Sequence, residues 1–279
     1  MFTVSNKSLI GLSVAAISLL SSCVNSKENK ARECLDSAQR QFESEQYDSA
    51  LATLDTLDAR FASEVSVRRE GLRLRPRIIE QMSLRSLEDI DRQLAELVIE
   101  SEKYKESLKY VPDAFEGYYT TAELAGKVPA EKTGLYARMT SDGLFTVVAS
   151  STKSALSESV SLSTSGASVS TPAVPYDGER NDRSRGVEII NFMPGECDTL
   201  GTFAQAHLGE PVTLTFNGAK TYSIPLPADQ LRALAKVHAA SKVFSALRRT
   251  QNEKNRLEKQ LQIARSQQAR TFEESTDKK

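Results

Sequence analysis

The chain has no tryptophan, and aromatic residues make up only 6 % of its 279 positions. Large rings dominate the burial in a single big core, so their scarcity favours an elongated or modular chain. Charge of one sign is not in excess. Lys and Arg number 36 against 37 Asp and Glu, a net charge of −1, so no whole-chain electrostatic argument for nucleic acid exists. Three cysteines and two histidines are too few and too scattered for recurring metal-ligand spacings. A Gly-rich phosphate cradle and a Gly-x-Ser-x-Gly nucleophile elbow are both missing. These absences predict no metal, no cofactor and no nucleic-acid partner. No apolar run reaches the roughly 20 residues that cross a bilayer.

One shorter apolar run is present, at the start. Lys7 supplies a positive charge. Leu9, Ile10, Leu12, Val14, Ala15, Ala16, Ile17, Leu19 and Leu20 make an apolar stretch, and the small residues Ser21 and Ser22 precede Cys23. A charged start, an apolar segment of about a dozen residues and a small-residue cleavage zone predict a secretory signal peptide over 1–22. The segment Leu20-Ser21-Ser22-Cys23 resembles the lipobox of bacterial lipoproteins. The resemblance implies acylation of Cys23, which becomes the new N-terminus of a lipidated tether over 23–30. It implies export and attachment to the cell envelope, with the bilayer as the first partner. Val24 stands where that family can place an Asp that favours the inner membrane, which implies the outer membrane instead. Each buried CH₂ of an acyl chain contributes about 0.8 kcal/mol, and stable anchoring takes more than one chain.

From Ala31 the pattern is helical. Cys34, Leu35, Ala38 and Phe42 fall on one face, a polar break follows at Glu43 to Gln46, and Tyr47, Ala50, Leu51, Leu54 and Leu57 form a second stripe. Two helices with a short connection make an αα-hairpin. Ala38, Phe42, Tyr47, Ala50 and Leu54 resemble the packing positions of one tetratricopeptide unit. Glu45 stands near that family's Gly, no Pro closes the unit, and a step of 34 residues from Ala38 reaches Leu72 without a second copy. Pro76 predicts a kink or a new helix start. Leu87, Ile90, Leu94, Leu97, Ser101, Tyr104 and Leu108 alternate steps of three and four, a heptad seam. Residues 78–109 would then form a rod of about 48 Å.

After Pro112 the pattern turns to strands. Residues 135–140 and 144–149 flank Ser141-Asp142-Gly143; 159–163 and 167–171 flank Thr164-Ser165-Gly166; 211–216 and 219–224 flank Asn217-Gly218, the strongest hairpin signal present. Val187 to Met193 reads as a further strand, and Glu196 to His207 as a short helix with Phe203 and Ala204 inward. About seven strands at this spacing predict a sandwich or barrel. Beyond Pro227 the chain is helical to about residue 270, and from Ser241 it carries ten Lys or Arg against five Asp or Glu. Such a face is usually solvated; near a membrane it would suit anionic head groups.

The fold class expected is therefore α+β. It divides into a signal peptide 1–22, the tether 23–30, a helical hairpin 31–77, coiled-coil helices 78–110 and 227–272, a β-rich head 111–226 inserted between them, and a frayed tail 273–279. The two helices would pair with each other, antiparallel, as a stalk; the rival is a coiled-coil homo-oligomer.

Candidate chemistry is sparse. Cys197, Asp198 and His207 have the residue types of a thiol enzyme without any family signature around them, so the chain reads as non-enzymatic. Cys34 and Cys197 fall in different modules and are expected as free thiols. Asp177, Glu179 and Asp182 offer oxygens for Ca²⁺, but Arg180, Arg183 and Arg185 interleave with them. The long loop 175–186, with Tyr176, Asp177, Glu179, Arg180, Asn181 and Arg183, is the expected contact region. The function expected is that of a scaffold, adaptor or binding protein with an envelope protein as partner. Carbohydrate or small-ligand capture by the β head is the alternative, and a thiol-dependent enzyme the remote one.

Overall fold

The computed structural model describes residues 12–113, 116–184 and 186–276, with side chains from 26 to 270. Most of the leader, the side chain of Cys23, Arg185 and the end of the tail lie outside the described residues. Within them the chain is α+β, with five helices and two antiparallel sheets. It divides into two compact units, 1–91 with 253–279, and 92–252.

The first unit is helical. Helix α1 spans Leu12–Glu43 and α2 spans Tyr47–Arg60. Residues 24–30, read as a tether, are helical and continuous with α1. Of the expected stripes, Leu35 and Ala38 meet Ala50, Leu54 and Leu57 in the core, while Cys34, Phe42, Tyr47 and Leu51 pack half-buried against it; Ala31, and Val67, Leu74 and Ile78 from the next helix, complete the core. The connection turns on Glu45, whose φ of 59° lies in the left-handed region that glycine occupies at least cost. Gln46 N–H closes the turn on the Gln41 carbonyl at 2.8 Å. Gly71 is needed for close approach, since a Cβ there would stand 3.0 Å from Leu57 Cδ2 and 3.3 Å from Leu54 Cδ2.

Helix α3 runs Val65–Ser107 with Pro76 inside it. This corrects the expected break: no helix begins at residue 78. Proline cannot bond back to the preceding turn, a loss worth about 3 kcal/mol in a helix interior. Leu74 and Ile78, on either side of it, are buried in the same core, and that packing holds the helix through the defect. Helix α5 spans Ala228–Thr276. In this unit Glu80 pairs with Arg265 at 2.9 Å and Asp91 with Lys254 at 2.7 Å. Moving forward on α3 thus moves backward on α5, so these stretches are antiparallel.

Among its described residues the second unit carries ten strands: β1 Lys109–Val111, β2 Tyr118–Thr120, β3 Gly134–Thr140, β4 Phe145–Ser151, β5 Ser157–Ser163, β6 Ser168–Ser170, β7 Asn181–Asp182, β8 Glu188–Phe192, β9 Thr213–Gly218 and β10 Tyr222–Pro225. Helix α4 spans Asp198–Ala206, with Phe203 and Ala204 buried as expected. One sheet has the order β1-β2-β3-β4-β8-β7 and the other β10-β9-β5-β6. Residues of both sheets, α4 and the first part of α5 share a single core. Central strands β3 and β4 are buried on both faces, which removes the alternation a half-exposed strand would show.

The expected hairpin at Ser141–Gly143 forms, with Met139 opposite Phe145. Gly143 has φ 81°, and a Cβ on it would overlap Phe244 of α5. The expected two-residue turn at Asn217-Gly218 does not form. Tyr222 pairs with Phe216, and Gly218 continues β9 to pair with Ser157 of β5. The glycine serves close approach instead of turning, because a Cβ on Gly218 would overlap the Leu156 carbonyl. β1 and β2 lie in stretches read as the end of the stalk helix and as irregular chain.

Candidate functional site

The expected contact loop is more structured than its composition suggests. Asp177 is an exposed capping residue whose Oδ1 accepts from the backbone N–H of Glu179 at 2.9 Å and of Asn181 at 3.0 Å. Bonds from the Asn181 and Glu179 amides hold its carboxyl below the usual range, since they favour the charged form. Gly178 takes φ 78° between them. Asn181 is not a free contact residue. It is fully buried, and its Nδ2 donates to the Ser157 carbonyl at 2.8 Å and the Val174 carbonyl at 2.7 Å. Arg180 is engaged with Glu196. Arg183 donates to the Ser157 carbonyl at 3.2 Å and lies over the Tyr176 ring at 4.9 Å. Tyr176 and Glu179 remain exposed. Of the six residues, then, Asn181, Arg180 and Arg183 hold the loop to the sheets, and Tyr176, Asp177 and Glu179 face outward.

The anchor of this region is a residue the sequence did not single out. Glu188 in β8 is 4 % exposed. Its carboxyl oxygens accept from Leu156 N–H at 2.7 Å, Ser157 N–H at 3.1 Å and Ser157 Oγ–H at 2.9 Å. Leu156 has φ 53° and the register slips between Ser157 and Ser159, so Glu188 satisfies the donors that a bulge releases from the ladder. It ties β8 of one sheet to β5 of the other. Nothing short of the register could have revealed it; a Glu at the start of an apolar strand reads as an exposed end.

The outer face of the second sheet is a lattice of small polar side chains. Ser170, Ser161, Thr215 and Ser223 stand opposite one another across β6, β5, β9 and β10, and Ser168, Ser163 and Thr213 form the next row. Neighbours across a sheet lie about 4.8 Å apart. Thr215 and Ser223 share a hydrogen bond at 2.9 Å, and Asn217 Nδ2 donates to Ser161 Oγ at 3.1 Å. The alternation Ser-Val-Ser-Leu-Ser and Thr-Leu-Thr-Phe-Asn already signals this face.

The thiol constellation does not come together as a nucleophile and base. Cys197 is fully buried, and burial pushes its thiol up to about 12. Its Sγ lies 3.7 Å from the carbonyls of Phe145 and Met193. His207 is paired with Glu210 at 3.2 Å. Asp198 instead lies 3.7 Å from His238 Nε2 and 3.7 Å from Lys242 Nζ. Cys34 and Cys197 are both free thiols. Among the described residues no three His, Cys, Asp or Glu side chains converge as a metal site, and no helix is long and apolar enough to cross a membrane. Between residues 208–213 and 225–232 runs an apolar groove of about 650 Å³, with Leu208, Val212, Leu226 and Leu231 among its lining. Comparison of the chain with family models, with curated proteins and with solved structures returns no match.

Proposed function

We propose that the protein is a membrane-anchored lipoprotein of the bacterial cell envelope that acts as a non-enzymatic scaffold, adaptor or binding protein. The observation that carries this reading is the segment Leu20-Ser21-Ser22-Cys23 behind an apolar leader. The bilayer is its partner through acylated Cys23, and a second, protein partner is reached by the β head. The antiparallel ion pairs Glu80–Arg265 and Asp91–Lys254 support a coiled-coil stalk formed by α3 and α5, and the common core of the two sheets supports a sandwich-like head. A thiol mechanism needs the thiolate, and a thiol held near 12 leaves almost none at neutral pH. The anchor is tested by Cys23→Ala in the producing cell. The parent chain is expected in the membrane fraction and the variant in the soluble one; equal membrane association of both sinks the reading.

A second reading is favoured by the hydroxyl rows of β5, β6, β9 and β10, which suit a neutral, hydrogen-bonding ligand such as a glycan. In that case the full chain binds members of a glycan array, and Ser161→Glu with Thr215→Glu abolishes the binding.

A further inference from the structure

Helix α4 is seated on α5 through an imidazole. His238 is 2 % exposed, and neither ring nitrogen has a hydrogen-bond partner. Gly201 of α4 packs so closely on the ring that a Cβ there would overlap it. The Phe145 ring of β4 closes another side at 5.1 Å between centroids. We propose that His238 is a proton-triggered release for helix α4, its protonation freeing residues 198–206 from their seat on α5.

The physical basis is desolvation. A neutral imidazole can be packed dry at moderate cost, but an imidazolium without hydrogen bonds cannot. Three elements meet the ring. From α4 the charged group is Asp198, whose Oδ1 lies 3.7 Å from Nε2. From α5 it is Lys242, whose ammonium lies 3.7 Å from the other Asp198 oxygen. β4 contributes the uncharged Phe145. Asp198 therefore favours the cation, but Lys242 shares that carboxylate and repels the cation directly. Burial and Lys242 together outweigh Asp198 and hold the ring below its ordinary range.

The sign follows from linkage. The seated ring takes up a proton less readily than the released ring, whose ordinary pKa is about 6.5. Seating is therefore at full strength above about pH 6.5 and weakens below it, by up to tenfold per pH unit, until the seated ring itself titrates. Release uncovers Leu200, Phe203 and Ala204, which belong to the core. It also breaks the bond from Gln205 Nε2 to the Ala235 carbonyl at 3.2 Å. The segment after α4, residues 208–213, forms one wall of the apolar groove, so acid would remodel that groove as well.

The chain has only two histidines, which makes the test clean. Amide exchange is followed on the full chain in detergent at pH 7.5 and 5.5, with rates corrected for intrinsic pH dependence. Relative to the amides of β4, protection of residues 200–206 is expected to fall at the lower pH, by up to about tenfold. His238→Gln and His238→Phe should each abolish that difference, and His207→Gln should keep it. Equal protection at both pH values in the parent overturns the proposal, as does an unchanged drop in His238→Gln. If both His238 variants misfold, imidazole resonances of the parent decide: a His238 midpoint at or above about 6.5 overturns it, and one clearly below supports it.

Discussion

Glu188 and His238 are both polar side chains deep in the second unit, and they represent opposite solutions to the same cost. Glu188 has its oxygens filled by two backbone N–H groups and a hydroxyl, so its burial is compensated. His238 has no such partners, and its burial favours the neutral form, which needs them least. A buried donor left without an acceptor costs about 1–3 kcal/mol. Glu188→Ala strips the acceptor from Leu156 N–H and Ser157 N–H together and is expected to lower stability by about 2–4 kcal/mol, read from urea unfolding. Glu188→Gln keeps one carbonyl oxygen and should lose less than half of that. Equal losses would mean that the carboxyl acts through space-filling alone.

At the scale of elements, α3 shows how packing overrides local preference. Pro76 removes a backbone bond from the middle of a 43-residue helix, yet buried neighbours on both sides keep the helix in one piece. The defect persists as a cost, so Pro76→Ala is expected to stabilise the chain. The gain should be about 1–2 kcal/mol, because some of the 3 kcal/mol propensity difference is returned as a small packing gap where the ring was buried. Thermal unfolding followed by helical circular dichroism checks it; a destabilised Pro76→Ala would show that the ring's packing outweighs the missing bond. The αα-hairpin makes the complementary point. Glu45 occupies the left-handed turn position with a side chain, and Glu45→Gly is expected to be neutral or slightly stabilising, since glycine adopts that φ without steric cost. Its ion pair with Arg85 is exposed and contributes little.

At the scale of the whole molecule the open choice is between pairing within the chain and pairing between chains. Helix α3 presents exposed Val98 and Ile99, which a homo-oligomer would cover. Against this, charged side chains of α3 already have their partners on α5 of the same chain, at Glu80 and Asp91, and Lys236 of α5 donates to the Ser107 carbonyl at 2.9 Å. Intramolecular pairing has no concentration cost, because its partner is always present. Sedimentation of the Cys23→Ala chain is therefore expected to give a monomer whose mass does not change with concentration; a mass that rises with concentration favours the rival coiled-coil oligomer.

What the residues alone determined is whatever is local or periodic. Steps of three and four placed the stripes of α1 and α2 and the seam of α3 from Leu87 to Leu108, because a helix face depends only on sequence spacing, whereas the start of α3 buries Val67, Leu74 and Ile78 and leaves Val65 and Leu72 exposed. Two strand-forming runs around an Asp-Gly turn placed β3 and β4, and apolar spacing placed α4 with Phe203 and Ala204 inward. Tertiary structure decided whatever depends on a partner distant in sequence. It carried α3 through Pro76, kept Gly218 in a strand because the Leu156 backbone passes too near for a side chain, and turned Asn181 from a loop residue into a buried clamp. It also brought Asp198 to His238 in place of Cys197 and His207. A burial energy or a shared hydrogen bond belongs to two segments at once, and no reading of one segment contains it.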